Sequence, residues 1–153
     1  MEAKKLSLKM TKRHLYVNGK RARLIAHPSW QRCQGFFTGV TRAIYRHEDI
    51  VIKLDVNTEI CSQGETEIGI YAHAISLGEE KIFAEIIDAG YVDLHGRDIL
   101  WVAQKYLNME KPKSNEYPLE VRLSVEKYGV KDVWEGRNWG YVNGRPVVYD
   151  YGI

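Results

Sequence analysis

Thr41-Arg42-Ala43-Ile44-Tyr45-Arg46-His47-Glu48-Asp49-Ile50-Val51-Ile52-Lys53-Leu54 is the stretch on which the fold turns. Thr41 to Arg46 and Ile50 to Leu54 are rich in β-branched and aromatic residues, and His47-Glu48-Asp49 is a short polar break. That pattern predicts two strands joined by a tight turn. The second strand is almost continuously apolar, and Lys53 interrupts it. Alternation sets Lys53 opposite Ile52 and Leu54, so a solvent-facing lysine is the plain expectation. The other course is a lysine aimed into a cleft that supplies an anion, because an ammonium group is not buried without one.

Working outward, His14 to Val17 and Lys20 to Ile25 flank Asn18-Gly19. Asn-Gly is a strong hairpin signal, since a type I′ turn needs positive φ at both central residues. Pro28 ends that unit, and Gly35-Phe36-Phe37-Thr38-Gly39 opens a second strand pair. After Leu54 the period changes. Ile68, Tyr71, Ala72 and Ile75 recur at helical spacing within Ser62 to Ile75. Ser62 can cap that helix, Glu65 and Glu67 suit its positive end, and Gly78 fits a stop.

Strands follow at Ala84 to Val92 and Asp98 to Tyr106 around His95-Gly96. A loop from Asn108 to Glu116 leads to a second helix, Leu119 to Tyr128, stopped by Gly129. The last unit is another Asn-Gly hairpin, Gly140 to Tyr149, in which Pro146 marks an edge strand. Many short strands with two helices give the class α+β.

A length of 153 residues suits one domain. Hydrophobic content of 44% and charged content of 27% exclude disordered, fibrous and coiled-coil chains. The net charge of +2 does not by itself suggest a nucleic-acid protein. The charge is uneven, however. Residues 1–24 carry eight Lys and Arg against Glu2 alone. This basic arm reads as a solvated, partly frayed end; its functional alternative is contact with an acidic partner or nucleic acid, the latter not favoured. Cys33 and Cys61 have no CxxC spacing, so no zinc set is built from them. No signal-peptide pattern and no long apolar run is present, which predicts a soluble cytoplasmic protein with free thiols and no membrane contact.

Two further groups can carry chemistry with Lys53. Glycines at 35 and 39 let a backbone approach phosphates closely. Glu67 on the next helix can hold a lysine in place. Asn138, in Gly136-Arg137-Asn138-Trp139-Gly140, and Asp150, closing Val147-Val148-Tyr149, can present oxygen ligands to one Mg²⁺ ion. Their plain reading is a loop Asn and a strand-end Asp.

The order of these parts resembles the protein-kinase-like fold, and most nearly small kinase-like proteins of bacteriophages. Gly39 to Arg46 with Ile50 to Lys53 resembles the glycine-rich hairpin and lysine strand. Gln63 to Tyr71 resembles the first helix, with Glu67 as the lysine's partner. Ile99 to Leu107 resembles the strand entering the adenine hinge, Asp132 to Gly140 the catalytic loop, and Val147 to Gly152 the Asp-Phe-Gly element with Tyr151 in place of Phe. Val130-Lys131 stands where the family has His-Arg, and Asp132 precedes Asn138 by six residues where the family has five.

The resemblance implies an amino-terminal lobe, a twisted antiparallel sheet with one helix, over residues 35–107. It implies a shortened catalytic-loop region over 108–153 ending at the metal-binding Asp motif, within one domain, 1–153, that begins with the basic arm and hairpin, 1–24. It implies Mg-ATP as cofactor. Lys53 would hold phosphates, oriented by Glu67; Asp132 would take the acceptor's proton. Gly35 and Gly39 would approach the nucleotide, Gln104 and Tyr106 would lie at the hinge, and Ala103 would back the adenine. Asn138 and Asp150 would hold the metal. The implied activity is phosphate transfer to the protein itself or to another acceptor. The alternative is a non-catalytic kinase-fold protein of phage origin acting in the host cytoplasm, where it would inhibit a host enzyme or defence complex. Trp134, Trp139, Tyr141, Tyr149 and Tyr151 have as their plain reading that they cap the small core of the shortened carboxy-terminal part; the alternative is exposed anchors for a host protein or for self-association.

Overall fold

The computed structural model describes residues 5–11, 14–26, 29–33, 36–40, 42–56, 63–107, 127–130 and 139–149. Twelve strands are described: β1 (Leu8–Thr11), β2 (His14–Val17), β3 (Lys20–Arg21), β4 (Arg23–Ala26), β5 (Ser29–Cys33), β6 (Phe36–Val40), β7 (Ala43–His47), β8 (Ile50–Leu54), β9 (Ile86–Leu94), β10 (Arg97–Lys105), β11 (Trp139–Val142) and β12 (Arg145–Val148). One α-helix, α1 (Gln63–Ser76), and a 3₁₀ turn, Glu80–Ile82, lie between β8 and β9. The class is α+β, mostly antiparallel strands with one helix among the described residues. The expected helix from Leu119 lies outside them except for its last two residues.

The chain divides into two compact units. The first comprises residues 1–64 and 86–106. Its centre is a five-stranded antiparallel sheet in the order β4-β7-β8-β10-β9. Lys53 on β8 faces Ile44 on β7 and Val102 on β10. The turns match their sequences. Asn18 and Gly19 have φ of 50° and 81°, and His95 and Gly96 have 52° and 81°. These are the left-handed values that a type I′ turn requires.

The run from Lys20 to Ile25 is two strands where the sequence suggested one. Arg21 pairs with Tyr16 in a three-stranded sheet, β1-β2-β3, whereas Arg23 pairs with Arg46 in the five-stranded sheet. The chain changes sheets at Ala22, which is buried and donates its N–H to the Leu15 carbonyl at 2.8 Å.

Among the described residues of the basic arm, Leu8–Thr11, His14–Val17 and Lys20–Arg21 form strands. Leu6, Leu8 and Met10 turn inward, with Leu15 and Val17 fully buried, against Ala43, Tyr45, Ile52, Leu54, Trp101 and Ala103. Lys5, Ser7, Lys9 and Thr11 alternate outward and are exposed. The Leu6 N–H donates to the Asp88 carboxylate at 2.8 Å. The three-stranded sheet therefore covers one face of the five-stranded sheet. β8 is buried from Val51 through Leu54 and β10 from Ile99 through Gln104, residues that alternate between both faces.

The second unit comprises residues 65–85 and 107–153. The helix α1 ends in a Schellman motif: the Glu79 N–H bonds the Ala74 carbonyl at 2.8 Å and the Gly78 N–H bonds that of Ile75 at 3.0 Å, with Gly78 at φ 71°. The β11–β12 hairpin turns through Asn143-Gly144, and its Val148 carbonyl accepts the Ala84 N–H at 2.8 Å. Tyr128 packs edge-on against Phe83 and His73, at ring separations of 5.1 and 5.4 Å. The Lys127 ammonium meets the Glu79 carboxylate at 2.6 Å.

Trp139 and Tyr149 are not the exposed anchors of the alternative reading. Both are buried, Trp139 opposite Val148 in the hairpin pairing, and Tyr141 is half-buried. Val147 and Val148 are buried as well. Trp134 and Tyr151 lie outside the described residues.

Candidate functional site

In an antiparallel sheet, directly paired residues share a face and neighbours along a strand alternate. The register thus sorts every side chain around Lys53. On one face lie Ala43, Leu54, Trp101 and, in the next row, Tyr45, Ile52 and Ala103, all in the core under β1–β3. On the other lie Ile44, Lys53, Val102 and Ala89, then Arg46, Val51 and Gln104.

Lys53 is 3% exposed, so the solvent-facing expectation fails. Alternation was right about direction; it could not reveal that the second face is closed as well. Gln104, on the same face, is fully buried. A buried ammonium costs several kcal/mol unless it is paired, so Lys53 at the sheet centre signals a specific arrangement around it.

Ala103 belongs to the opposite face from Lys53, which removes it from any pocket that Lys53 enters. Val51 and Val102 take that place, as buried apolar neighbours of Lys53 on its own face. Sequence reasoning missed them. The signal was available, because Val51 stands two residues before Lys53 and therefore on its side of the strand.

The β10 strand carries a bulge where Ala103 pairs with Asp88 but Gln104 with Ile86. Such an irregularity re-aims the side chains that follow. Tyr106, beyond it, is anchored to the β7–β8 turn. Its N–H donates to the Asp49 carbonyl at 2.6 Å, and the Arg46 guanidinium lies 3.8 Å from its ring centre.

The entry to α1 is fixed from the same face. The Gly64 N–H donates to Asp55 Oδ2 at 3.0 Å. A methyl group at Gly64 would stand 2.9 Å from Asp55 Oδ2, 2.9 Å from Leu100 Cδ2 and 3.3 Å from Val102 Cγ2. Only a glycine allows this approach.

Within its own unit, Glu67 is fully buried on α1. The buried helix positions are Gly64, Glu67 and Ala74, whereas Ala72 and Ile75 are exposed, Ile75 by 53%. The helix is rotated from the face that its apolar residues suggested, and the rotation takes a carboxylate inward. Tyr71, half-buried, has its pKa raised by burial and then by the Glu85 and Glu80 carboxylates.

Gly39 lies in β6, opposite Trp30, in a separate two-stranded pair with β5. Gly35, Asp132, Asn138 and Asp150 lie outside the described residues. Among the described residues no three His, Cys, Asp or Glu side chains gather as a metal site, and no helix is long and apolar enough to cross a membrane. No protein-family model matches the chain, and no curated protein matches its sequence.

Proposed function

We propose that this chain is a kinase-like protein that binds Mg-ATP, with phosphate transfer to itself or to a separate acceptor as its activity. The observation that carries the reading is the burial of Lys53 at the centre of the five-stranded sheet. In chain order β8 is the third strand of that sheet, after β4 and β7, and a helix with a buried glutamate follows it. Kinases place their phosphate-binding lysine on a third strand and its carboxylate partner on the next helix. Val51 and Val102 supply an apolar surface beside the lysine that suits an adenine ring. β10 then leads through Gln104 to Tyr106, the expected hinge.

In this reading Lys53 neutralises phosphate oxygens and Glu67 sets its position. Gly35 and Gly39 give the phosphates close backbone approach. Asn138 and Asp150 would hold Mg²⁺, which supplies charge neutralisation when bound, and Asp132 would accept the hydroxyl proton of the acceptor.

The test is a melting curve with and without millimolar Mg-ATP. A ligand at a hundred times its Kd stabilises by about 2.7 kcal/mol, which is several degrees for a chain of this size. Lys53→Met should abolish the shift while still melting cooperatively.

The non-catalytic reading takes the same burial together with the engaged Tyr106 N–H. Lys53 and Gln104 are closed off, and the Tyr106 N–H is already bonded to Asp49. A sealed lysine can serve the fold alone. In that case Mg-ATP leaves the melting temperature unchanged, and a partner protein in the cytoplasm of a host cell becomes the ligand to seek.

A further inference from the structure

The outward face of the β1–β3 sheet lies on the side of the five-stranded sheet away from Lys53, and the nucleotide reading makes no use of it. Its residues follow from register. Lys9 pairs with Tyr16, and Tyr16 with Arg21, so the three side chains form one row across three strands. Lys9 and Arg21 are exposed and Tyr16 is half-buried between them. A surface concavity on this face is lined by Ser7, Lys9, Thr11, Tyr16 and Gly19.

The chain that forms this face is rich in one sign of charge. From residue 3 through residue 47 the sequence contains eleven Lys and Arg and no Asp or Glu. Lys20 meets Glu48 at 3.7 Å and is partly neutralised. Lys9 lines the concavity, Arg21 stands in its row, and Lys5 is exposed two residues before Ser7.

We infer that this face binds single-stranded nucleic acid. A sheet surface with a central aromatic ring and flanking cations matches what an unpaired strand offers. A base stacks on the ring while phosphates reach the cations, and small hydroxyl side chains leave the floor open. An acidic protein segment would satisfy the cations but would leave the Tyr16 ring without a flat partner, so the ring decides between them.

The experiment is fluorescence anisotropy of a labelled 15-nucleotide oligo-dT, and of the corresponding oligo-U, with the full chain. Three phosphate contacts give a salt slope of about −2, so affinity should fall about fifteen-fold between 50 and 200 mM salt. Lys9→Gln with Arg21→Gln should cut that salt-induced loss to about threefold. Tyr16→Ala should weaken binding by about fivefold or more through lost stacking, and Tyr16→Phe should restore it. Lys20→Gln removes the same charge from beside Glu48 and should leave the affinity within about twofold. Melting of each variant shows whether the sheet is intact, and the Phe variant keeps the ring if the Ala variant unfolds. The inference is overturned by results on the ring or on the charge. On the ring, they are a Tyr16→Phe variant that binds no better than an intact Tyr16→Ala, or an intact Tyr16→Ala that binds like wild type. On the charge, it is a polyglutamate of equal charge binding as tightly as the oligonucleotides.

Discussion

Two glycines one and a half turns apart on α1 should respond to the same substitution with opposite signs. Gly69 is exposed in the helix interior, and a methyl group there would meet nothing within 4 Å. Replacing glycine with alanine in a helix interior lowers backbone freedom in the unfolded chain and gains about 0.8–1 kcal/mol. Gly69→Ala should therefore raise the melting temperature by about 2–4 °C. At Gly64 the gain in propensity is opposed by overlap. Its methyl group would lie 2.9 Å from both Asp55 Oδ2 and Leu100 Cδ2, and 3.3 Å from Val102 Cγ2.

Overpacking of this kind costs about 1–3 kcal/mol, so the overlap outweighs the propensity term. The Leu100 tip can rotate, but Val102 is a short branched side chain on a central strand, and Asp55 is tied to the Gly64 N–H. The expected net effect of Gly64→Ala is a loss of about 1–2 kcal/mol, or about 2–8 °C. Urea denaturation followed by far-UV circular dichroism gives both values from midpoints at constant slope. If Gly64→Ala proves as stabilising as Gly69→Ala, the close approach of the helix start to β10 is refuted. The position given to Glu67, one turn later, then loses its support.

Gly90→Ala should cost about 1–3 kcal/mol, because the new methyl group would stand 2.9 Å from Cζ2 of the rigid Trp101 ring paired with it; thermal melting measures this, and a neutral result contradicts the pairing. Tyr45 lies in the core and burial raises its pKa, so the neutral phenol is favoured in the folded state. The stability it contributes is complete below the unfolded value near 10 and is lost as pH climbs through the higher folded value. Tyr45→Phe should flatten the fall in melting temperature between pH 9.5 and about 11, and an unchanged slope counts against the assignment. For the nucleotide site, Asp150→Ala should remove the magnesium dependence of the ATP-induced shift while Gln104→Ala weakens it at all magnesium levels; calorimetric titration reads both, and equal magnesium dependence in wild type and Asp150→Ala contradicts the metal role.

Local turn chemistry was fully legible in the sequence. Asn18-Gly19, His95-Gly96 and Asn143-Gly144 each name a hairpin through backbone sterics alone, and Gly78 names a helix end. What depended on distant partners was not. No local pattern tells Arg21 from Arg23, although they join different sheets, because that choice is made by Tyr16 on one side and Arg46 on the other. The helix face was misread for a related reason. Ile68 and Ile75 satisfy a 3.6 period, but the buried positions of the helix are Gly64, Glu67 and Ala74, and no local pattern marks a glycine and a glutamate as the inner face. Lys53 is singled out by its chemistry, yet its burial is not readable from the alternation of β8 alone. For Trp139 and Tyr149 the sequence leaves core and surface both open; Trp139 pairs with Val148 in the hairpin, and both rings are buried.

The strict alternation of β1 also acts as a ruler. Moving this strand by one residue would push Lys9 into the interior and Leu8 and Met10 into water, so its register is locked by the packing beneath. Adjacent strands are spaced by about 4.8 Å, and the ammonium-bearing and guanidinium-bearing backbones therefore stand about 10 Å apart, two steps across the ribbon. Cations that would drift independently on a loose tail are held here as a comb of set pitch, and a ligand of matching repeat meets them with less ordering still to be done.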